Sequence, residues 1–186
     1  MVDQTNLDTL LRDVDDAFQR GALRDALGYL KQAAVIAPKQ INVWVNTSYI
    51  VYLLGDLTQA LDAGRRGVAL KVDDPHIHLN YGNALRAAGH IEEAIEQFKA
   101  ALSLLPTYAE AWTQLNLAYM SQGKMSLALE AGAQALAADP RLPHAISNYA
   151  LALQQMGNAE EANTLLKNAI ARFPDIAFLH SNYLMN

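Results

Sequence analysis

Residues 75–108 read PHIHLNYGNALRAAGHIEEAIEQFKAALSLLPTY. In the first half Leu79, Tyr81, Gly82 and Leu85 recur at helical spacing, and in the second half Ala94, Phe98 and Ala101 do the same. Gly89 supplies a stop for the first helix, and Pro106, which cannot continue a helix, marks the end of the second. The stretch is predicted to be a pair of helices joined by a glycine turn. The next 34 residues repeat it, with Trp112, Leu115, Tyr119, Ala128, Ala135 and Pro140 at corresponding places.

The period extends over almost the whole chain. Glycine recurs at Gly21, Gly55, Gly89, Gly123 and Gly157, and alanine at Ala26, Ala60, Ala94, Ala128 and Ala162, each series stepping by 34 residues. Proline follows at Pro38, Pro106, Pro140 and Pro174, with Val72 in the slot of the second unit and Pro75 three residues late. Such self-similarity predicts stacked helical repeats. After a lead-in at 1–6, the array over 7–174 divides into five units, 7–40, 41–74, 75–108, 109–142 and 143–176, and residues 177–186 form a partial sixth.

These residues and their period resemble the tetratricopeptide-repeat (TPR) family. The resemblance implies an all-α fold, a right-handed superhelical solenoid of antiparallel helix pairs, with first helices along a concave binding side. Alanine in the second helices lets neighbours approach closely, while Trp44, Trp112, Tyr119 and Phe98 fill the space between them. Gly64, Gly67 and Gly132 depart from this pattern. Inside second helices each is expected to cost about 1 kcal/mol relative to alanine, which would make the second unit the weakest.

Composition narrows the function. The 186 residues are 52% hydrophobic and 18% charged, enough apolar material for an ordered core. With 14 Lys and Arg against 19 Asp and Glu, the formal charge of -5 argues against nucleic-acid binding. No cysteine is present, which removes disulfides, thiolate metal sites and cysteine nucleophiles together. Asp3 and Asp8 stand where a secretory signal would be basic, and stretches such as Ile50–Leu54 fall well short of the roughly 20 apolar residues needed to span a bilayer. The expectation is a cytoplasmic protein without membrane insertion. Metalloprotease, phosphate-loop and nucleophile-elbow motifs are missing, so neither an enzyme nor a cofactor is expected. His76 and His78 are two residues apart and point away from each other on a helix, unlike a zinc-binding pair, and Glu92, Glu93, Glu160 and Glu161 suit the starts of second helices.

The resemblance places the second, fifth, sixth, ninth and twelfth positions of each unit on the binding side. At the sixth stand Arg12, Asn46, Asn80, Gln114, Asn148 and Asn182. A primary amide offers a donor and an acceptor, as a peptide unit does, so this series is either a ladder that holds an extended peptide or a set of braces between repeats. Tyr49, Tyr52 and Asn83 complete the candidate peptide-binding set, with Phe18, Met120, Thr113, Ser147, Gln154 and Ser181 around it. Some relatives grip a C-terminal carboxylate with lysine, arginine and asparagine; here His144 and Asn148 occupy the places of the cations.

The leading expectation is a module that binds an extended, weakly charged peptide of a protein partner. An alternative comes from a resemblance of the asparagine-lined face, and of Phe173–Leu184, to the TPR region of O-linked N-acetylglucosamine transferases and their SPINDLY-like relatives. It implies a substrate-presenting arm of a larger enzyme. A third reading is a self-assembling structural unit. Phe178, Leu179 and Leu184 belong to a first helix without its partner, so either the natural protein continues or two chains pair there as a homodimer.

Overall fold

The computed structural model describes residues 4–184, without the side chains of Gln4 and Leu184. Half of the expected lead-in, residues 1–3, lies outside the described residues, as do Met185, Asn186 and the Leu184 side chain. The described residues form eleven α-helices and no strand: α1 (Gln4–Gln19), α2 (Leu23–Ile36), α3 (Ile41–Leu53), α4 (Leu57–Ala69), α5 (Pro75–Ala87), α6 (Ile91–Leu104), α7 (Ala109–Ser121), α8 (Met125–Ala138), α9 (Pro143–Gln155), α10 (Ala159–Arg172) and α11 (Ala177–Leu184). Helix α1 opens at Gln4, so part of the lead-in is helical. The chain divides into two compact units, one ending at Gln97 and the other starting at Phe98, with the division inside α6.

Each helix pair turns back on itself at a glycine. Gly21, Gly55, Gly89, Gly123 and Gly157 all have φ between 71° and 86°, a left-handed conformation that a side chain would strain. The turn closes with two backbone bonds. At the second, Gly55 N–H donates to Tyr52 O (3.0 Å) and Asp56 N–H to Val51 O (3.0 Å), which satisfies carbonyls at the end of α3. The Asp56 carboxylate then accepts from Gln59 N–H (2.9 Å) and caps α4, and this bond holds its pKa below the ordinary value. At the other end of α4, where no proline stands, Lys71 adopts φ 54° and donates its N–H to Val68 O (3.1 Å).

In the first unit α2 packs on α3, α4 on α5, and the first helices α3 and α5 lie side by side. Its core holds Leu7, Val14, Leu30, Val43, Ile50 and Val51, with Ala26, Ala33, Ala60 and Ala84 at the close approaches. In the second unit α8 packs on α9 and α10 on α11, while α7 lies beside α9 and α9 beside α11. Ile146, Leu153, Leu166 and Leu179 are buried there around Ala150, Ala162 and Ala169. A fully buried leucine such as Leu30 contributes roughly 1.5–3 kcal/mol.

Side chains tie repeats together at the fourth position. The indole N–H of Trp44 donates to Pro38 O and that of Trp112 to Pro106 O, both at 2.8 Å. His180 takes the same place at the start of α11, its Nε2 2.8 Å from Pro174 O, so the hydrogen sits on Nε2. Within repeats a second brace runs from the eighth position to the second helix: Ser48 Oγ donates to Ala60 O (3.4 Å) and buried Asn116 Nδ2 to Ala128 O (2.7 Å).

The glycines inside second helices do not fit the expected cost relative to alanine. Gly64, Gly67 and Gly132 are buried, and the repeat that follows presses on them. A β-carbon on Gly64 would run into the Tyr81 ring, on Gly67 it would lie 2.5 Å from Ile77 Cδ1, and on Gly132 2.7 Å from Tyr149 Cδ2. The helix-propensity gain of alanine is therefore outweighed by overpacking. Gly64→Ala is expected to lower stability by about 1–3 kcal/mol in urea unfolding; a stabilised variant would show that Tyr81 moves aside without cost.

Candidate functional site

Three sequence positions on each first helix, the sixth, ninth and twelfth, recur one turn apart and so share a face. The turn glycines fix where that face ends, because each glycine N–H bonds the carbonyl of a twelfth-position residue, Phe18, Tyr52, Arg86, Met120 or Gln154.

The sixth-position amides Asn46, Asn80, Gln114, Asn148 and Asn182 are half-buried, and Arg12 is exposed. Two of the amides reach the preceding repeat. Asn80 Nδ2 donates to Val45 O at 3.1 Å, and Asn182 Nδ2 donates to Ser147 Oγ at 2.6 Å, each spanning 35 residues. At these positions the nitrogen acts as a brace. A bond in the opposite direction also joins α9 to α11, from Gln154 Nε2 to Asn182 O (3.3 Å).

Thr113 and Ser147, expected among the neutral polar groups facing a ligand, are instead 3% and 5% exposed. The Thr113 hydroxyl donates to Ala109 O (2.8 Å) and Ser147 receives the Asn182 bond, so both serve the fold.

Other first-helix groups in each unit lack a partner among the described residues. In the first unit the ninth-position Asn83 has a buried Oδ1 that meets no donor, and in the second unit Gln114 has a buried Oε1 in the same condition. Phe18 and Tyr49 are 39% and 40% exposed, with ring centroids 5.8 Å apart, and Tyr52 lies half-buried beside the Val51 and Ala60 core. Arg86, absent from the sequence-derived set, also belongs to this face. It stands one turn beyond Asn83, and its Nε is buried without an acceptor. Its twelfth-position register was the available signal.

The last described helix departs from expectation at Leu179. That side chain is 0% exposed, packed into the core with Ile146, Leu153 and Leu166, so it does not stand on an open apolar edge. Phe178 is half-buried, its ring centroid 4.7 Å from that of His144, and Tyr183 is 38% exposed. Away from the first-helix face, a cleft of about 770 Å³ is lined by Tyr149, Asn158, Glu160, Glu161, Thr164 and Asn168. Burial, and secondarily the Glu161 charge, push the Tyr149 phenol pKa up.

Asn80→Ala is expected to cost about 1 kcal/mol of stability through loss of its bond to Val45 O, whereas Asn83→Ala, which breaks no such bond at Oδ1, is expected to cost less. Urea midpoints of the two variants check this order.

The family model for the TPR repeat matches residues 82–123. The TPR repeat-containing thioredoxin TTL4 of Arabidopsis thaliana is 31% identical over 75 residues, which are 40% of this chain; the chain spans 11% of that protein's length. The structure of TTC0263, a thermophilic TPR protein in Thermus thermophilus, is similar with a TM-score of 0.78 and 23% identity, covering 96% of this chain and 97% of that one. YrrB, described as a TPR protein with an unusual peptide-binding site, is similar with a TM-score of 0.70 and 18% identity, covering 90% and 87% of the two chains. Among the described residues, no helix is long and apolar enough to cross a membrane.

Proposed function

We propose, because this chain belongs to the tetratricopeptide-repeat family, that it is an interaction scaffold whose first-helix face holds an extended, weakly charged peptide segment of a protein partner. The observation that carries this reading is a buried amide oxygen in each unit taken by itself, Asn83 Oδ1 in the first and Gln114 Oε1 in the second, that no donor among the described residues meets. A buried acceptor left unpaired carries a desolvation cost, and the N–H of a bound peptide removes it. The peptide-binding site named for YrrB supports the same reading at the level of the fold. An arm that presents a substrate chain to an enzyme would use the same face.

Immobilised chain is expected to retain members of a random octapeptide pool above a protein-free control. The double variant Asn83→Ala, Gln114→Ala is expected to retain about tenfold less, the effect of roughly 1.4 kcal/mol of lost binding energy, with its urea midpoint nearly unchanged. Equal retention by variant and intact chain rules the amide oxygens out as ligand contacts.

A second proposal concerns α11. Exposed Tyr183 and half-buried Phe178 leave apolar surface on that helix, and a second copy of the chain is proposed to cover it. Replacing Phe178 and Leu184 with serine is then expected to abolish a concentration-dependent dimer in sedimentation; an intact chain that stays monomeric at high concentration overturns the proposal.

A further inference from the structure

Three successive first helices of the first unit carry their ninth and twelfth positions in one register: Asp15 and Phe18 on α1, Tyr49 and Tyr52 on α3, Asn83 and Arg86 on α5. Members of each pair are three residues apart and therefore neighbours on the helix surface. The chemistry changes along this stripe from acid and aromatic, through two phenols, to amide and guanidinium.

At the α5 end, Asn83 Oδ1 is an acceptor without a donor and Arg86 Nε is a donor without an acceptor, one turn apart and both buried. A peptide unit carries the complementary pair, an N–H and a C=O. At the α1 end, the Phe18 and Tyr49 rings lie 5.8 Å apart between centroids and stay 39% and 40% exposed. Asp15 is exposed one turn from Phe18, and Asp8 is exposed two turns further back on the same side of α1. Helix α1 holds Asp8, Asp13, Asp15 and Asp16 against Arg12. Aromatic faces attract a cation, and the neighbouring carboxylates add attraction of the same sign while they repel an acidic side chain.

We propose that this stripe binds an extended peptide that carries one Lys or Arg residue. The peptide backbone pairs with Asn83 and Arg86, and the cationic side chain lies across Phe18 and Tyr49 with Asp15 as its counter-charge. The guanidinium of Arg86 is two first helices away from Phe18, so it does not compete for the same place. Helix α5 packs on α3 and the Phe18 ring of α1 meets the Tyr49 ring of α3, so at roughly 8–10 Å per packed helix the stripe spans about 20 Å. An extended octapeptide, at up to about 3.4 Å per residue, reaches that far. The inference rests on the peptide-holding reading above and adds to it the sign of the ligand's charge and the residues that select it.

The test sequences the members of a phage-displayed random octapeptide pool retained by intact chain, by Phe18→Ala, by Asp15→Asn and by Asn83→Ala, with circular dichroism to confirm that each variant is folded. For the intact chain the retained pool is expected to be enriched about threefold or more in Lys and Arg over Asp and Glu, relative to the input, as a single exposed cation–aromatic contact would give. Phe18→Ala and Asp15→Asn are expected to lose most of that enrichment while still retaining peptides, and Asn83→Ala to retain fewer peptides with the enrichment intact. Retention without a basic bias, or a bias that survives both Phe18→Ala and Asp15→Asn, overturns the inference and leaves the peptide-holding reading standing. Retention no greater than the protein-free control overturns both.

Discussion

The left-handed glycine at the turn of each helix pair is the constraint on which the rest depends. A residue with a β-carbon at φ near 80° is strained, and a right-handed residue there would carry the first helix onward instead of turning it back. With glycine in place, the two backbone bonds across the turn fix how the second helix leaves the first. Close pairing follows, and with it the need for Ala26, Ala60, Ala128 and Ala162, all fully buried, where the helices meet. The same bonds hold the twelfth-position carbonyls, so the turn also sets the end of the face where Phe18, Tyr52 and Arg86 project.

Apolar burial holds neighbouring repeats together, and side chains that seek out backbone carbonyls fix their register. Trp44, Trp112 and His180 each donate to the carbonyl of the proline before them, and Asn80 donates to Val45 O one repeat back. Such bonds contribute about 1 kcal/mol each, and their geometry matters more than their sum, since they fix the register between neighbouring helices. They also determine what remains for a ligand. An amide nitrogen that braces the fold is not available to a ligand, and the atoms left without a partner among the described residues include the oxygens of Asn83 and Gln114 and the Nε of Arg86.

The first-helix face of the first unit combines exposed aromatic rings and aspartates with a buried acceptor and a buried donor, Asn83 Oδ1 and Arg86 Nε, that have no partner among the described residues. The fourth-position hydrogen bonds and the closely approached glycines, by contrast, are already satisfied within the chain and have no group left to present. Function on this chain is therefore expected from the ninth and twelfth positions at least as much as from the sixth.

Glycine, alanine and proline at a period of 34 residues were enough to specify the helix pairs, because they act through local backbone sterics that need no distant partner. Helices α3, α5, α7 and α9 open at Ile41, Pro75, Ala109 and Pro143. The helix positions of Asn46, Asn80 and Asn83 in the first unit, and of Gln114 and Asn148 in the second, were legible in the same way, as a register. What each of those side chains does was not. Propensity alone marked Gly64 as a weakness, whereas Tyr81 from the following repeat makes it a necessity of packing. Leu179 reads as an exposed edge in the linear chain, yet Ile146 and Leu166 close over it. Asn80 and Asn83 are both amides on one helix, but one nitrogen meets Val45 O and the other residue's oxygen meets nothing. These outcomes belong to the tertiary structure, because burial and hydrogen-bond partners come from residues a full repeat away, and a local pattern carries no record of which of them arrives.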